Sequence, residues 1–234
     1  MSVEIKHLYK TLSSQEILHD INLSVPQGQV LGLLGPNGAG KSTLMKILIG
    51  YWSFDQHEET DVNVCGINMR QSPHDVASKI GYLPENNPLY DDMYVREYLL
   101  FMAELSRLPR SARNQRVDTL IEQVGITREQ HKRIGQLSKG YRQRIGLAQA
   151  MMGNPEVLIL DEPTTGLDPN QLADIRMLIK TLGHDRTVIL STHIMQEVKE
   201  MCNRVVILNN GNIVAEENDL TNIDLEQLFR SKTK

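Results

Sequence analysis

The chain has 234 residues, 40% hydrophobic and 23% charged, enough apolar material for one large domain or two modest ones and not the composition of a disordered segment. No stretch reaches the roughly 18–20 consecutive apolar residues of a membrane span, and residues 1–6 carry no long apolar targeting region. With 25 basic against 29 acidic residues the net charge of −4 gives no general pull toward nucleic acid, and Cys65 and Cys202 lie outside any CxxC spacing, so a compact intracellular globular protein is expected.

The first third reads as strands. Residues 3–5 and 21–25 alternate, Pro26-Gln27-Gly28 forms a turn, and residues 30–34 are apolar on both faces, as a buried parallel strand requires. A glycine-rich loop follows at once, and residues 42–49 then carry a helical apolar pattern through Leu44, Ile47 and Leu48. Further apolar strands are predicted at 80–83, 157–160, 188–190 and 205–208, with Asn209-Asn210-Gly211-Asn212 turning into residues 213–215. Strands alternating with helices predict an α/β core with a mainly parallel sheet. The stretch 93–152 differs: it reads as consecutive helices at Val95–Leu105, 112–124 and 142–152, a helical subdomain inserted between strands.

The strongest chemical signal is Gly35-Pro36-Asn37-Gly38-Ala39-Gly40-Lys41-Ser42, a phosphate-binding loop that follows a strand and opens a helix. Its glycines let backbone N–H groups turn toward phosphate oxygens at the positive end of the helix. Lys41 would reach the β- and γ-phosphates, the Ser42 hydroxyl would ligate Mg²⁺, and Thr43 would bond a phosphate oxygen. A strand-to-helix turn that is glycine-rich for structural reasons alone needs neither Lys41 nor Ser42. The second signal is Val157-Leu158-Ile159-Leu160-Asp161-Glu162, two carboxylates at the carboxyl end of a buried strand, where open α/β sheets bind ligands. Asp161 suits the Mg²⁺ water shell and Glu162 an attacking water. Alone, that pair is a strand ending in solvated acids; with the loop it specifies a Mg²⁺-nucleotide hydrolase.

Leu137-Ser138-Lys139-Gly140-Tyr141, shortly before the Asp-Glu strand, adds a second serine-glycine cradle ahead of a helix, where Ser138 can both cap and bind. With it the chain resembles the ATP-binding subunit of an ABC transporter over nearly its whole length. The segment is similar to the family signature LSGGQ, with Lys139 in place of one glycine and Tyr141 in place of the glutamine. Gly166-Leu167-Asp168 resembles the D-loop, Ser191-Thr192-His193 the switch histidine, and Glu85 stands where most members carry the Q-loop glutamine.

The resemblance implies a P-loop NTPase fold with a RecA-like mixed-sheet core, an N-terminal antiparallel β subdomain and the inserted helices, all in one ATPase domain spanning 1–234. It implies ATP and Mg²⁺ held by Gly35 to Thr43, with Asp161, Glu85 and Ser42 toward the metal. Glu162 would act as base, His193 would stabilise transition-state charge, and Lys41 would neutralise developing phosphate charge. Ser138, Gly140 and Asp168 would serve a head-to-tail partner, a second copy or a paralogue, and a separate transmembrane permease would hold the pair at the cytoplasmic face of the membrane. Residues 85–98 are expected to grip that permease. Residues 82–98 with 135–144 look like the gliding-motility-associated ATPases of ABC-2 exporters.

Two departures stand out. The family's adenine-stacking aromatic falls near Leu12, which is aliphatic, and Tyr9 is out of register for the role. The usual turn between the first helix and the next strand is replaced at 54–60. His7, His19, His57, His74, His131 and His184 lack any catalytic context and read as surface or packing residues. A non-transport ABC ATPase acting on ribosomes or DNA is the alternative. It is disfavoured by the single cassette, by the lack of a heptad array and by the acidic charge. A nucleotide switch without turnover is a third class, opposed by intact Lys41, Asp161, Glu162 and His193.

Overall fold

The computed structural model describes residues 1–221 and 223–233. Two sheets organise the chain. Long strands β1 (Val3–Leu12) and β2 (Gln15–Val25) form an antiparallel hairpin extended by β4 (Asp61–Val64) and β5 (Ile67–Asn68), in the order β2-β1-β4-β5. Sequence alternation marks only part of β1 and β2, because register shifts at three points along their pairing break the two-residue period.

The second sheet has the order β10-β9-β3-β8-β7-β6. Its strands are β3 (Val30–Leu34), β6 (Ile80–Leu83), β7 (Val157–Asp161), β8 (Thr187–Thr192), β9 (Arg204–Asn209) and β10 (Asn212–Glu217). All neighbours are parallel except β10, which folds back on β9. Every residue of β3, β7 and β8 is buried, so the sheet is covered on both faces and the expected α/β mixed sheet is present. One apolar cluster fills the space between the antiparallel sheet, the central strands and α1 (Lys41–Leu48); another joins the far face to the helices.

Between β6 and β7 lie α3 (Val95–Leu105), α4 (Arg110–Gln123) and α5 (Lys139–Ala150), with a single 3₁₀ turn at Ile134–Gln136. The helical reading of this stretch holds, but α5 begins at Lys139 rather than 142. Gly140 therefore lies inside its first turn. Helix α2 (Pro73–Lys79) precedes β6. Helices α6 (Pro169–Asp185) and α7 (Met195–Met201) flank β8, and α8 (Leu225–Lys232) packs beside β9. Close approach binds the helical stretch to the sheet: a Cβ on Gly81 of β6 would stand 2.0 Å from the carbonyl oxygen of Ala150.

Candidate functional site

Strand β3 delivers the chain to Gly35, where a Cβ would stand 2.4 Å from the carbonyl oxygen of Leu208, so only glycine lets the loop pass under β9. The loop ends at Gly40, whose φ of 104° is left-handed and whose missing Cβ leaves room for Leu18. Lys41, 8% exposed, bends back over the loop and donates to the carbonyls of Gly35 (2.7 Å) and Pro36 (3.1 Å). Burial pushes its pKa below the ordinary 10.5, while Glu162 and Asp161 pull it back up. Ser42 is exposed beside it and Thr43 buried.

The facing wall comes from the ends of β7 and β8. The Ser191 hydroxyl donates to Asp161 Oδ1 at 2.5 Å and accepts the backbone N–H of Glu162 at 3.0 Å. One buried hydroxyl thus orients both acidic residues. Glu162 sits at φ 48°, a left-handed conformation that a non-glycine residue adopts at a cost of about 1–3 kcal/mol. Its carboxylate lies 3.1 Å from His193 Nδ1 through either oxygen and accepts the Thr165 hydroxyl at 3.2 Å. Thr192 anchors the turn after β8 by donating to buried Glu197 at 2.6 Å. The sequence reading named Ser191 only as part of the switch segment, without this orienting role, and missed Thr165; a hydroxyl at a strand end opposite an acidic strand end was the available signal for Ser191.

These walls enclose a cleft of about 440 Å³. It gathers the loop from Asn37 to Thr43, Glu85 beyond β6, both carboxylates and His193. To these it adds Leu12, Ile17 and Thr165. Gly35 and Pro36 contribute through their carbonyls to Lys41 rather than by lining it.

Ser138, Gly140 and Asp168 are not part of this cleft. They line a second groove of about 430 Å³ at the N-termini of α5 and α6. Ser138 occupies the cap position of α5 but makes no side-chain capping bond, contrary to expectation. Its hydroxyl instead accepts from Gln171 Nε2 at 3.4 Å, and Gln171 also lies over Gly140, where a Cβ would stand 2.6 Å from its Cδ. Lys139 answers from the other helix, its Nζ 2.5 Å from where a Cβ on Gly166 would be. Asp168 caps α6 by accepting the N–H groups of Asn170 and Gln171, both at 3.0 Å.

The segment after Glu85 is tied to α5. Asn87 Nδ2 donates to the carbonyl of Arg142 at 2.8 Å, Arg142 returns a bond to Asp91 at 2.5 Å, and the N–H of Gly135 donates to the carbonyl of Asp91 at 3.0 Å. Away from both grooves, His7 pairs with Asp20 (2.8 Å), His19 with Glu16 (2.9 Å), and His57 packs on Tyr9 with ring centroids 4.6 Å apart.

Residues 18–165 match the sequence model of the family described as ABC transporter. The chain belongs to the ABC transporter ATP-binding subunits. As a member of this ATPase family it binds and hydrolyses ATP. A second family model, described as "AAA domain, putative AbiEii toxin, Type IV TA system", matches residues 133–199, the part holding α5 and the ends of β7 and β8.

Among curated relatives of this subunit, the uncharacterized ABC transporter ATP-binding protein YhcH of Bacillus subtilis (strain 168) is 34% identical, over 99% of this chain and 73% of its own length. The bacitracin transport ATP-binding protein BcrA of Enterococcus faecalis is 33% identical, over 92% of this chain and 69% of its own. Among solved structures, an ATP-binding subunit of an ABC transporter superposes with TM-score 0.86 at 27% identity, over 100% of both chains. The cbiO1 protein of Clostridium perfringens, described as part of the ABC transporter complex cbiONQ, gives TM-score 0.86 at 26% identity, over 98% of this chain and 93% of its own.

Proposed function

We propose that this ATPase subunit drives an ABC-2 type exporter as one of a head-to-tail pair, identical or paralogous, on a separate membrane permease. The observation that carries this reading is the separation of the two cradles. Lys41, Asp161 and Glu162 line one groove while Ser138 and Gly140 line another, so a triphosphate in the first is enclosed from both sides only when a second subunit supplies its own Ser138 and Gly140.

The donor set suits Mg²⁺. Among the described residues no group of three or more His, Cys, Asp or Glu side chains could hold a metal on its own. Apart from His193, which is paired with Glu162, the cleft side chains assigned to the metal are oxygen donors: the Ser42 hydroxyl and the carboxylates of Asp161 and Glu85. A small hard cation that keeps waters and substrate phosphates as most of its ligands fits such a sparse set. Bound there, Mg²⁺ supplies neutralisation of phosphate charge. Lys41, released from the Gly35 and Pro36 carbonyls, meets the β- and γ-phosphates, and backbone N–H groups from Asn37 to Thr43 orient them. Glu162 takes the proton of the attacking water as its oxygen bonds to the γ-phosphorus and ADP leaves, and His193 holds that carboxylate and stabilises transition-state charge on the γ-phosphoryl group in transfer.

No described helix is long and apolar enough to cross a membrane. Relatives named for bacitracin transport and for the cbiONQ complex support a permease partner that places this subunit at the cytoplasmic face of the membrane. Residues 85–98 are the segment we assign to that contact. Tyr90 and Tyr94 there are 54% and 46% exposed. Residues 1–234 form a single ATPase domain in this reading, with 93–152 as its helical insert. The gliding-motility resemblance of residues 82–98 and 135–144 bears on the exporter class and does not identify the cargo.

Glu162→Gln tests the reading. With MgATP the variant elutes at twice the monomer mass and holds uncleaved nucleotide. Wild-type turnover in this variant sinks the assignment of Glu162 as base, and a monomer under saturating MgATP sinks the paired site. Native-membrane affinity purification should recover a polytopic membrane protein; ribosomes or DNA in its place would favour the non-transport alternative.

A further inference from the structure

A carboxylate that accepts a proton from a held water has to present one of its two oxygens. The terminal torsion of a glutamate is broad and roughly two-fold, so the group turns unless its oxygens are bonded unequally. His193 Nδ1 lies 3.1 Å from Glu162 Oε1 and 3.1 Å from Oε2, and so holds the carboxylate without telling the two oxygens apart. Its side chain is 53% exposed, against 12% for Glu162, so the imidazole is the less confined partner. Thr165 differs: its hydroxyl donates at 3.2 Å to Oε2 alone. Among the described residues no other side chain donates to that carboxylate.

The backbone brings this hydroxyl into place. The N–H of Thr165 donates to the carbonyl of Glu162 at 3.2 Å, closing a turn with Pro163 at its second position, a place that the fixed φ of proline suits. Ahead of the turn, the Ser191 hydroxyl holds the N–H of Glu162 at 3.0 Å, and Glu162 itself keeps its φ of 48°. The main chain of Glu162 is therefore bonded at both its N–H and its carbonyl, and its side chain meets the Thr165 hydroxyl across the turn. Thr165 lines the same cleft as Lys41 and His193.

We propose that Thr165 is a positioning residue for hydrolysis: its hydroxyl occupies Oε2 of Glu162 and so presents Oε1 to the attacking water. The proposal rests on Glu162 being the base. The water's proton goes to Oε1 as its oxygen bonds to the γ-phosphorus and ADP leaves, while Thr165 keeps its own proton throughout. The hydroxyl acts on the orientation of the base and contributes nothing to holding the triphosphate, which is cradled by the loop from Asn37 to Thr43. Its loss therefore falls on the chemical step, where a base displaced by about 1 Å can cost up to about 100-fold.

Steady-state MgATP hydrolysis by the full chain provides the test, with Thr165→Val removing the donor at nearly constant shape and Thr165→Ser keeping it. Thr165→Val should lower kcat about 10-fold with the KM for MgATP within about 2-fold of wild type, and Thr165→Ser should hold kcat within about 3-fold. A Thr165→Val chain with wild-type kcat overturns the proposal, as does one whose loss lies in KM, or a serine variant no better than the valine one. In the Glu162→Gln background there is no base to orient, so adding Thr165→Val should leave the residual turnover within about 2-fold of Glu162→Gln alone. A further loss of about 10-fold there shows a role apart from Glu162 and overturns the proposal. Wild-type turnover in Glu162→Gln removes the base and the positioning with it. Lost turnover in Glu162→Gln beside an unaffected Thr165→Val removes the positioning alone.

Discussion

Replacing Gly146 by alanine sets two effects of opposite sign against each other. The residue lies inside α5, where alanine is favoured over glycine by about 1 kcal/mol because it restricts the unfolded chain. The added Cβ, however, would stand 2.2 Å from Asn87 Nδ2 and 2.6 Å from Leu83 Cδ1. Asn87 would have to swing away and lose its 2.8 Å bond to the Arg142 carbonyl, worth about 1 kcal/mol. Leu83, fully buried, would have to shift at an overpacking cost of about 1–3 kcal/mol. The net is a destabilisation of about 1–3 kcal/mol, or a fall in Tm of about 2–12 °C for a chain of this size. Thermal and urea denaturation of Gly146→Ala, Asn87→Ala and the double variant measure it. Removing the Asn87 amide makes room for the methyl, so the double variant should be more stable than the sum of the singles by about 1 kcal/mol. A Gly146→Ala chain that melts at or above the wild-type temperature, or singles that simply add, would refute the packing argument.

Lys41→Met should abolish the Tm rise caused by MgATP while leaving the nucleotide-free chain at least as stable as wild type, since a buried ammonium is costly to desolvate. The sign with pH follows: a lysine whose folded pKa is depressed binds fewer protons folded than unfolded, so wild type should gain on Lys41→Met as pH rises toward 10.5. Paired melts across that window check it, and a gap that widens toward low pH in favour of wild type contradicts it. Ser191→Ala leaves the N–H of Glu162 and the carboxylate of Asp161 without their shared partner and should cut kcat about 10-fold or more, with Ser191→Thr retaining more of it. Equal kcat in Ser191→Ala and wild type would remove Ser191 from the site. Burial and Glu156 push the Cys65 thiol up to about 11, so its alkylation at pH 8 should run at least about 10-fold slower than that of a free thiol. Mass-spectrometric labelling rates measure this, and rapid labelling of the folded chain would show that the thiol is not shielded.

Local chemistry made much of the site legible in advance. A glycine-rich loop between a buried strand and a helix has few physical uses other than holding phosphate, and two carboxylates at the end of an apolar strand must emerge at the same sheet edge, so Lys41, Ser42, Asp161 and Glu162 could be placed together from their flanking strands. The 3.6-residue apolar period marked Val95–Leu105 to the residue. Where pattern breaks down, the sequence was silent. Bulges interrupt the alternation of β1 and β2, and β4 and β5 are too short to show a period.

Contacts between distant segments were decided only by tertiary packing. Ser191 orients acidic residues thirty positions earlier because β7 and β8 are hydrogen-bonded neighbours with Asp161 opposite Ser191. Asn87 reaches α5 because Gly146 lets it, and Gln171 covers Gly140 because α5 and α6 begin side by side. The opening composition showed a chain of ordinary charge with no apolar run long enough to span a membrane, and a sequence can fix that because it is a property of consecutive residues. That Lys41 and Ser138 line different grooves is a property of helix placement, and the proposal of a paired subunit rests there.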